Sequence, residues 1–215
     1  DNAGTLTLNG ASNAATINNN GTLKIGQDIN AGAGTIDFSA TANEDATIDL
    51  GAIGTPGSGV GAGTAISNGT VNLTGNAKVL LNTSLEESDE ITIATSGAVG
   101  DLVTKIDQLT VANALRQVDV DTSSDVIATI GAKNTAAQTG AALGVSAANG
   151  NKLNQAGFAQ IAAGNAFATG GDFSEVGDAI NEALTGSRDA KTTAEQLGDA
   201  TATAGAASQA GIDAF

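Results

Sequence analysis

A five-residue phrase recurs along the first half of the chain: a small residue, Thr, an aliphatic residue, a polar residue and another apolar residue. Three copies fall within residues 21–51, as GTLKI, GTIDF and ATIDL. The alternation of apolar and polar positions predicts short strands that turn one face to a core and the other to water. Related segments begin at Gly4, Ala15, Gly69, Ala77 and Glu90.

Asn and Gly separate these predicted strands, for example at Asn9-Gly10 and Asn68-Gly69. Both residues tolerate positive backbone angles, so they predict sharp turns after every few residues. Matching the apolar positions of successive strands indicates a loose period of about 20 residues. The matched pairs are Leu6 with Leu23, Ile17 with Ile36, Ile48 with Val71, and Val71 with Ile91.

A period of this kind favours a mainly β fold, a parallel β-helix (solenoid) followed by a β cap and a C-terminal α-helical segment. The alternative is an antiparallel sandwich of hairpins, because Asn-Gly is also a strong hairpin signal. Residues 51–63 are rich in Gly and contain the one proline, Pro56. They predict an exposed loop.

The pattern changes after Ile93. Less regular apolar segments follow and predict the strands of a cap; they lie around Leu102, Ile106, Leu109, Val118 and Val126. From about Asn154 the spacing of apolar residues predicts helices, with a stop at Gly170-Gly171 and a capping box at Asp172-Phe173-Ser174-Glu175. We therefore predict a stalk over residues 1–95, a β cap or folding-promoting region over 96–153 and a helical linker or tail over 154–215.

Composition excludes several functions. The 8 basic and 23 acidic residues leave a formal net charge of -15, which would repel nucleic acids and anionic bilayers. No apolar run approaches the roughly 20 residues that a membrane-spanning helix needs. Cys and His are both absent, which removes thiolate chemistry and the commonest general base. We expect no enzyme and no cofactor.

The chain contains no Met, even at position 1, where Asp1 stands. This predicts a processed or excised piece of a longer product. Together with the missing Cys, the acidic charge and the abundance of small polar residues, it favours an exported bacterial protein, located extracellularly or on the cell surface.

One acidic segment has the beginning of a calcium loop. Asp119, Asp121 and Asp125 stand at relative positions one, three and seven, where such a loop places oxygen ligands. However, Ser124 occupies the place of the turn glycine, and Ile130 that of the bidentate acid. A solvated acidic turn is therefore the better interpretation, with calcium as the alternative.

A second candidate site is the glycine-rich loop at Gly57, Ser58, Gly59, Val60 and Gly61. A phosphate cradle would need a following helix and a Lys, and neither is predicted here. The loop is instead a candidate for recognising a host protein or a glycan. Aromatics are only 2% of the chain, which weakens the glycan version because sugars stack on aromatic rings.

Three features together resemble a known family: the Thr- and Asn-rich repeats ending in DEITIA at 89–94, the segment LGVSAANGNKL at 143–153, and the helices after it. Over almost its whole length the chain resembles the C-terminal part of a bacterial autotransporter passenger. The resemblance implies a β-helical stalk, a folding-promoting region and a helical linker leading into a downstream outer-membrane barrel.

These expectations favour a non-enzymatic structural protein, a stalk or a self-assembling filament or layer element that acts in adhesion or in an extracellular matrix. Its predicted partners are further copies of itself, added head to tail, and a host or abiotic surface. An adhesin module that binds a receptor through its loops is the first alternative. An enzyme acting on polysaccharides is a second, disfavoured by the scarcity of aromatics.

Overall fold

In the computed structural model, the described residues are 4–8, 16–19, 21–26, 29–39, 46–162, 179, 183 and 188–196. The chain divides into two compact units, Asp1–Ala132 and Lys133–Phe215. The predicted turn at Asn9-Gly10, the stop at Gly170-Gly171 and the capping box at 172–175 lie outside the described residues.

The repeated phrase forms strands, as its alternation predicts. The strands of the first unit are β1 (Thr5–Leu8), β2 (Thr16–Asn19), β3 (Thr22–Ile25), β4 (Ile29–Ser39), β5 (Ala46–Leu50), β6 (Gly63–Thr74), β7 (Ala77–Leu81), β8 (Glu90–Ala94), β9 (Leu109–Ala112), β10 (Arg116–Asp121) and β11 (Val126–Lys133). Strands β4 and β6 are longer than the phrase, at 11 and 12 residues.

The strands belong to two sheets. One is a five-stranded parallel sheet in the order β1-β3-β5-β7-β9, and the other is a six-stranded sheet in the order β10-β11-β8-β6-β4-β2. The second sheet is mixed, because β11 runs antiparallel to β8 while β2, β4, β6 and β8 pair in parallel.

The fold is therefore α/β, and the prediction of a mainly β parallel β-helix, or solenoid, is wrong. A solenoid requires equivalent rungs throughout, whereas here a parallel sheet stands beside a mixed one and helices follow. The sequence pattern failed because a short alternating segment encodes a strand and its buried face. It does not encode the sheet that the strand joins.

The register of the paired strands shows which of the four predicted residue matches are correct. Leu6 does pair with Leu23, and Ile17 with Ile36. The predicted match of Ile48 with Val71 is wrong, because β5 and β6 belong to different sheets and Ile48 pairs with Val79 instead. The match of Val71 with Ile91 is also wrong, since Ile91 pairs with Gly63.

Aliphatic side chains in register build the core of the first unit. In the parallel sheet, one column contains Leu6, Leu23, Ile48, Val79 and Val111. Its three central members are fully buried, and each contributes about 1.5–3 kcal/mol by leaving water. Residues of the second sheet belong to the same core cluster, among them Ile36, Val71 and Ile91. One core therefore serves both sheets.

A short helix, α1 (Asp101–Thr104), and a 3-10 helix (Ile106–Gln108) replace two of the predicted cap strands. Leu102 is the buried residue of α1. The stretch beside it covers the edge of β6, since the Val71 amide donates to the Ala98 carbonyl at 3.2 Å. A helix forms here because it buries Leu102 and satisfies that edge.

The second unit contains α2 (Ala136–Leu143) and α3 (Ala147–Ala162). Thr135 and Gln138 form a capping box at the start of α2, and Gly144 ends the helix in the left-handed conformation. The sequence did not predict α2, and α3 begins earlier than Asn154. Residues 190–196 are also helical.

Close backbone contact joins α2 to α3. A Cβ placed on Gly150 would lie only 2.2 Å from the Ala136 carbonyl oxygen and 2.6 Å from the Gly140 nitrogen. A buried polar contact accompanies it: the Thr139 hydroxyl donates to Asn154 Oδ1 at 2.7 Å, and Asn154 Nδ2 donates to the Asn134 carbonyl at 2.9 Å. The helices thus pack at a distance that only glycine allows.

Candidate functional site

The predicted glycine-rich loop forms an irregular connection between β5 and β6. Three of its glycines have positive φ angles that favour glycine: Gly57 at 74°, Gly59 at 67° and Gly61 at 79°. Val60, between the last two, is 81% exposed. The five residues of the predicted binding loop therefore span two consecutive turns, and the second turn carries the exposed apolar side chain of Val60.

A buried carboxylate fixes this loop. Asp89, which is only 1% exposed, immediately precedes β8. Its Oδ1 accepts the amide of Gly59 at 2.8 Å, and its Oδ2 accepts the amides of Gly57 at 3.0 Å and Glu86 at 2.8 Å. Three charge-assisted hydrogen bonds compensate for the burial of the charge.

Backbone bonds complete the clamp. The Glu90 amide donates to the Gly59 carbonyl at 3.0 Å, and the Ile130 amide donates to the Asp89 carbonyl at 2.9 Å. The loop is consequently tied to β8 and, through Asp89, to β11. We call Asp89 together with Gly57, Gly59 and Glu86 the loop clamp.

The start of the loop packs closely against the hydrophobic core. Gly54 has a φ of 110°, and a Cβ there would lie 2.7 Å from Ile91 Cδ1 and 2.9 Å from Leu85 Cδ2. A hydrogen bond joins the two ends of the loop, since the Thr55 amide donates to the Ala62 carbonyl at 3.0 Å. Close packing at Gly54 and these hydrogen bonds therefore stabilise the loop in the observed conformation.

Sequence reasoning placed the loop but missed the role of Asp89. The missing signal is long-range: Asp89 is 32 residues from Gly57 and 30 from Gly59. A glycine-rich loop that presents several amides needs an acceptor, but nothing in the local sequence identifies which residue supplies it.

Two of the three acidic residues of the calcium candidate accept hydrogen bonds from different segments of the chain. Asp119 and Asp121 are exposed on one face of β10. Asp121 accepts the Ser123 amide at 2.8 Å, whereas Asp125 accepts the Ser96 amide at 2.7 Å. Across the described part of the chain, no group of three acidic residues is placed to hold a metal ion. Calcium binding thus has no geometric support.

A second carboxylate missed by sequence reasoning is Asp101. It accepts the Leu73 amide at 2.9 Å and lies 2.7 Å from Lys105 Nζ, which donates to the Leu73 carbonyl at 2.6 Å. Hydrogen bonding from Lys105, followed by that from Leu73, lowers the pKa of Asp101 below its ordinary value. Asp101 and Lys105 therefore bond to the Leu73 backbone groups that a neighbouring strand would otherwise pair. Their role is structural.

The fold defines the class of this protein as α/β, with one parallel and one mixed sheet. Within the residues that the structure describes, no helix is both long and apolar enough to cross a membrane. No protein-family model, curated protein or solved structure matches the chain.

Proposed function

We propose that this protein is a non-enzymatic structural protein, exported by a bacterium to its surface or surroundings, that assembles end to end through the outer strands of its parallel sheet. The observation that carries the proposal is the incomplete burial of the aliphatic columns at the two ends of that sheet. In the column Leu6–Leu23–Ile48–Val79–Val111, the three central side chains are fully buried, whereas the two end members are half-buried.

The first end is β1. Leu6 and Leu8 are half-buried, whereas their partners in β3, Leu23 and Ile25, are 0% and 1% exposed. The two leucines have a neighbour on one side in the sheet order, where β1 is the outer strand. An added strand with the same phrase would complete their burial, which favours association.

The backbone of β1 is oriented for such an addition. The carbonyls of Gly4 and Leu8 accept the amides of Thr22 and Gly26, both at 2.8 Å. Even-numbered residues therefore turn their backbone groups toward β3. By alternation, Thr5 and Thr7 turn theirs toward the outer side of the sheet, as a strand template requires.

The second end is β9. Leu109 and Val111 are half-buried, and Val111 continues the column that begins at Leu6. If β1 of one copy added to β9 of another, Leu6 would lie against Val111 and the column would continue unbroken. A head-to-tail contact of this kind leaves an outer strand free on each terminal copy, so further copies can add and a filament can grow.

Composition supports an extracellular setting for this assembly. The chain has no Cys to oxidise and carries a net charge of -15, which keeps individual copies soluble before they associate. The resemblance to an autotransporter passenger favours the same location. A protective layer or an adhesive fibre is the expected role, on a host or abiotic surface.

The test is a Thr7→Pro variant. Proline removes the outward amide of Thr7 without removing a donor to β3, so it blocks strand addition and spares the sheet. Thr7→Val is the matched control, because it keeps the amide and suits a strand. We expect filaments or higher oligomers from the wild type and Thr7→Val, and single particles from Thr7→Pro, by electron microscopy and sedimentation.

Two results would overturn the proposal. One is a wild-type protein that remains monodisperse at high concentration. The other is a Thr7→Pro variant that assembles as well as Thr7→Val. Circular dichroism of all three proteins must first give matching melting curves, so that a folding defect is not mistaken for blocked assembly.

The rigid display of Val60 favours a second function, that of an adhesin whose loop contacts a receptor or a surface. An exposed apolar side chain held by a fixed loop loses little entropy on binding. Val60→Asp should then reduce attachment to cells or abiotic surfaces, whereas the exposed neighbour Ser58→Ala should not. Equal attachment by both variants would argue for the purely structural function.

A further inference from the structure

We propose that Asn68 is a site of spontaneous covalent modification, at which its side-chain amide is converted through a cyclic succinimide into aspartate and isoaspartate. The only reagents are the following glycine, water and hydroxide. The site is independent of the assembly proposed above.

The geometry around Asn68 carries this inference. Asn68 is exposed on β6, and the next residue is Gly69, whose φ of 110° is accessible because it has no side chain. The Gly69 amide donates to Asn68 Oδ1 at 3.1 Å. Since a carbonyl bond is only about 1.2 Å long, the side-chain Cγ lies in the immediate neighbourhood of that nitrogen.

The reaction joins these two atoms. Hydroxide removes the proton of the Gly69 amide, and the nitrogen attacks Asn68 Cγ, so that an N–Cγ bond forms. The Cγ–Nδ2 bond then breaks, and Nδ2 takes up a proton from water and leaves as ammonia. Water adds to either carbonyl of the five-membered ring and opens it, which yields aspartate or isoaspartate. No oxidation or reduction occurs.

The same chain contains a protected Asn-Gly pair for comparison. Asn149 is half-buried and lies in α3, where the Gly150 amide donates to the Ser146 carbonyl at 2.9 Å. Gly150 is also pressed against the Ala136 carbonyl. Ring closure there requires the helix to unwind and the contact with α2 to open, so the fold shields Asn149.

The position of Asn68 in the sheet gives the modification a consequence. Strand β6 lies between β4 and β8, and Asn68 aligns with Asn30 next to a register shift. Isoaspartate adds a methylene to the backbone, which displaces the strand beyond that point. Aspartate adds a negative charge to an already acidic chain.

The experiment is peptide mapping of the folded full-length protein after incubation at neutral and mildly alkaline pH. Mass spectrometry measures the conversion of each Asn, and labelling by isoaspartyl methyltransferase detects the isoaspartate. We expect the modified fraction at Asn68 to rise with time, faster at the higher pH, while Asn149 keeps its starting value. Asn68→Gln, which would need a larger ring, should lose the signal at this position.

A parallel incubation in urea separates sequence from structure. Once the chain is unfolded, Asn149 should be modified as readily as Asn68, since both precede glycine. Equal rates in the folded protein, or a folded Asn68 that outlasts Asn149, would overturn the inference. The other Asn-Gly pairs, at 9–10 and 20–21, give different peptides and do not affect this comparison.

Discussion

At the scale of single residues, Asp89 has the most demanding environment of the described carboxylates. A charge this deeply buried is costly unless hydrogen bonds replace the lost water. Asp89 receives three such bonds from backbone amides, two of them from the glycine-rich loop. The residue therefore converts a loop of glycines, which alone would sample many conformations, into a fixed structure.

We predict that Asp89→Asn lowers the free energy of unfolding by about 3 kcal/mol, because the new amide group cannot accept the hydrogen bonds that one carboxylate oxygen accepted. Urea denaturation measures the loss. Hydrogen exchange at the Gly57 and Gly59 amides should also become faster. The exposed neighbour Glu87→Gln is the control and should change neither quantity. Unaltered exchange in Asp89→Asn would contradict the role of the loop clamp.

At the scale of elements, the backbone groups of β6 that β8 leaves unpaired determine which structure the segment after β8 adopts. Beyond Ile66, β8 no longer pairs with β6, and the chain between Ala98 and Lys105 takes its place. It approaches so closely that a Cβ on Gly100 would lie 2.0 Å from the Val71 carbonyl oxygen. A strand was expected here, but the Ala98 carbonyl, Asp101 in α1 and Lys105 just after it bond to β6 instead.

The contact between α2 and α3 gives an element-scale prediction. Gly150→Ala should lower the stability of the second unit by at least about 2 kcal/mol, because the added methyl group overlaps the Ala136 carbonyl and forces the helices apart. Thermal melting followed by the helical circular dichroism signal measures the change.

Asn151→Ala is the control for that prediction. Asn151 lies on the same helix and is exposed, and alanine has the higher helix propensity. The control should melt at the wild-type temperature or slightly above it. If Gly150→Ala melted together with the control, the close approach of the two helices would not be present in solution.

At the scale of the whole molecule, short-range attraction opposes long-range repulsion. The aliphatic columns favour the addition of strands, but every copy carries a net charge of -15. Charges on neighbouring copies are screened over a Debye length of about 10 Å in 0.1 M salt and about 3 Å in 1 M salt. The extent of assembly therefore depends on the ionic strength.

We predict that raising the salt concentration from low to high increases the size of the assemblies of the wild-type protein. Light scattering at a fixed protein concentration measures this size. Thr7→Pro is the control, and its scattering should stay flat over the same range. Assemblies that dissolve as salt is added would indicate an electrostatic contact instead of strand addition.

The sequence by itself determined where most strands of the first unit lie and which of their faces is buried, because alternation is a local property that a few residues express. It predicted the exposed loop for the same reason, since glycines with positive φ are a local requirement. It also matched Leu6 with Leu23 correctly, as these residues hold the third position in equivalent copies of one phrase in the same sheet.

Only the tertiary structure decided how the strands divide between a parallel and a mixed sheet, and hence that the fold is α/β. It also decided that Asp89 secures the loop and that Gly150 must be glycine. Each of these outcomes depends on contacts between residues far apart in the chain. Their free energies are set by packing that no short segment of sequence contains.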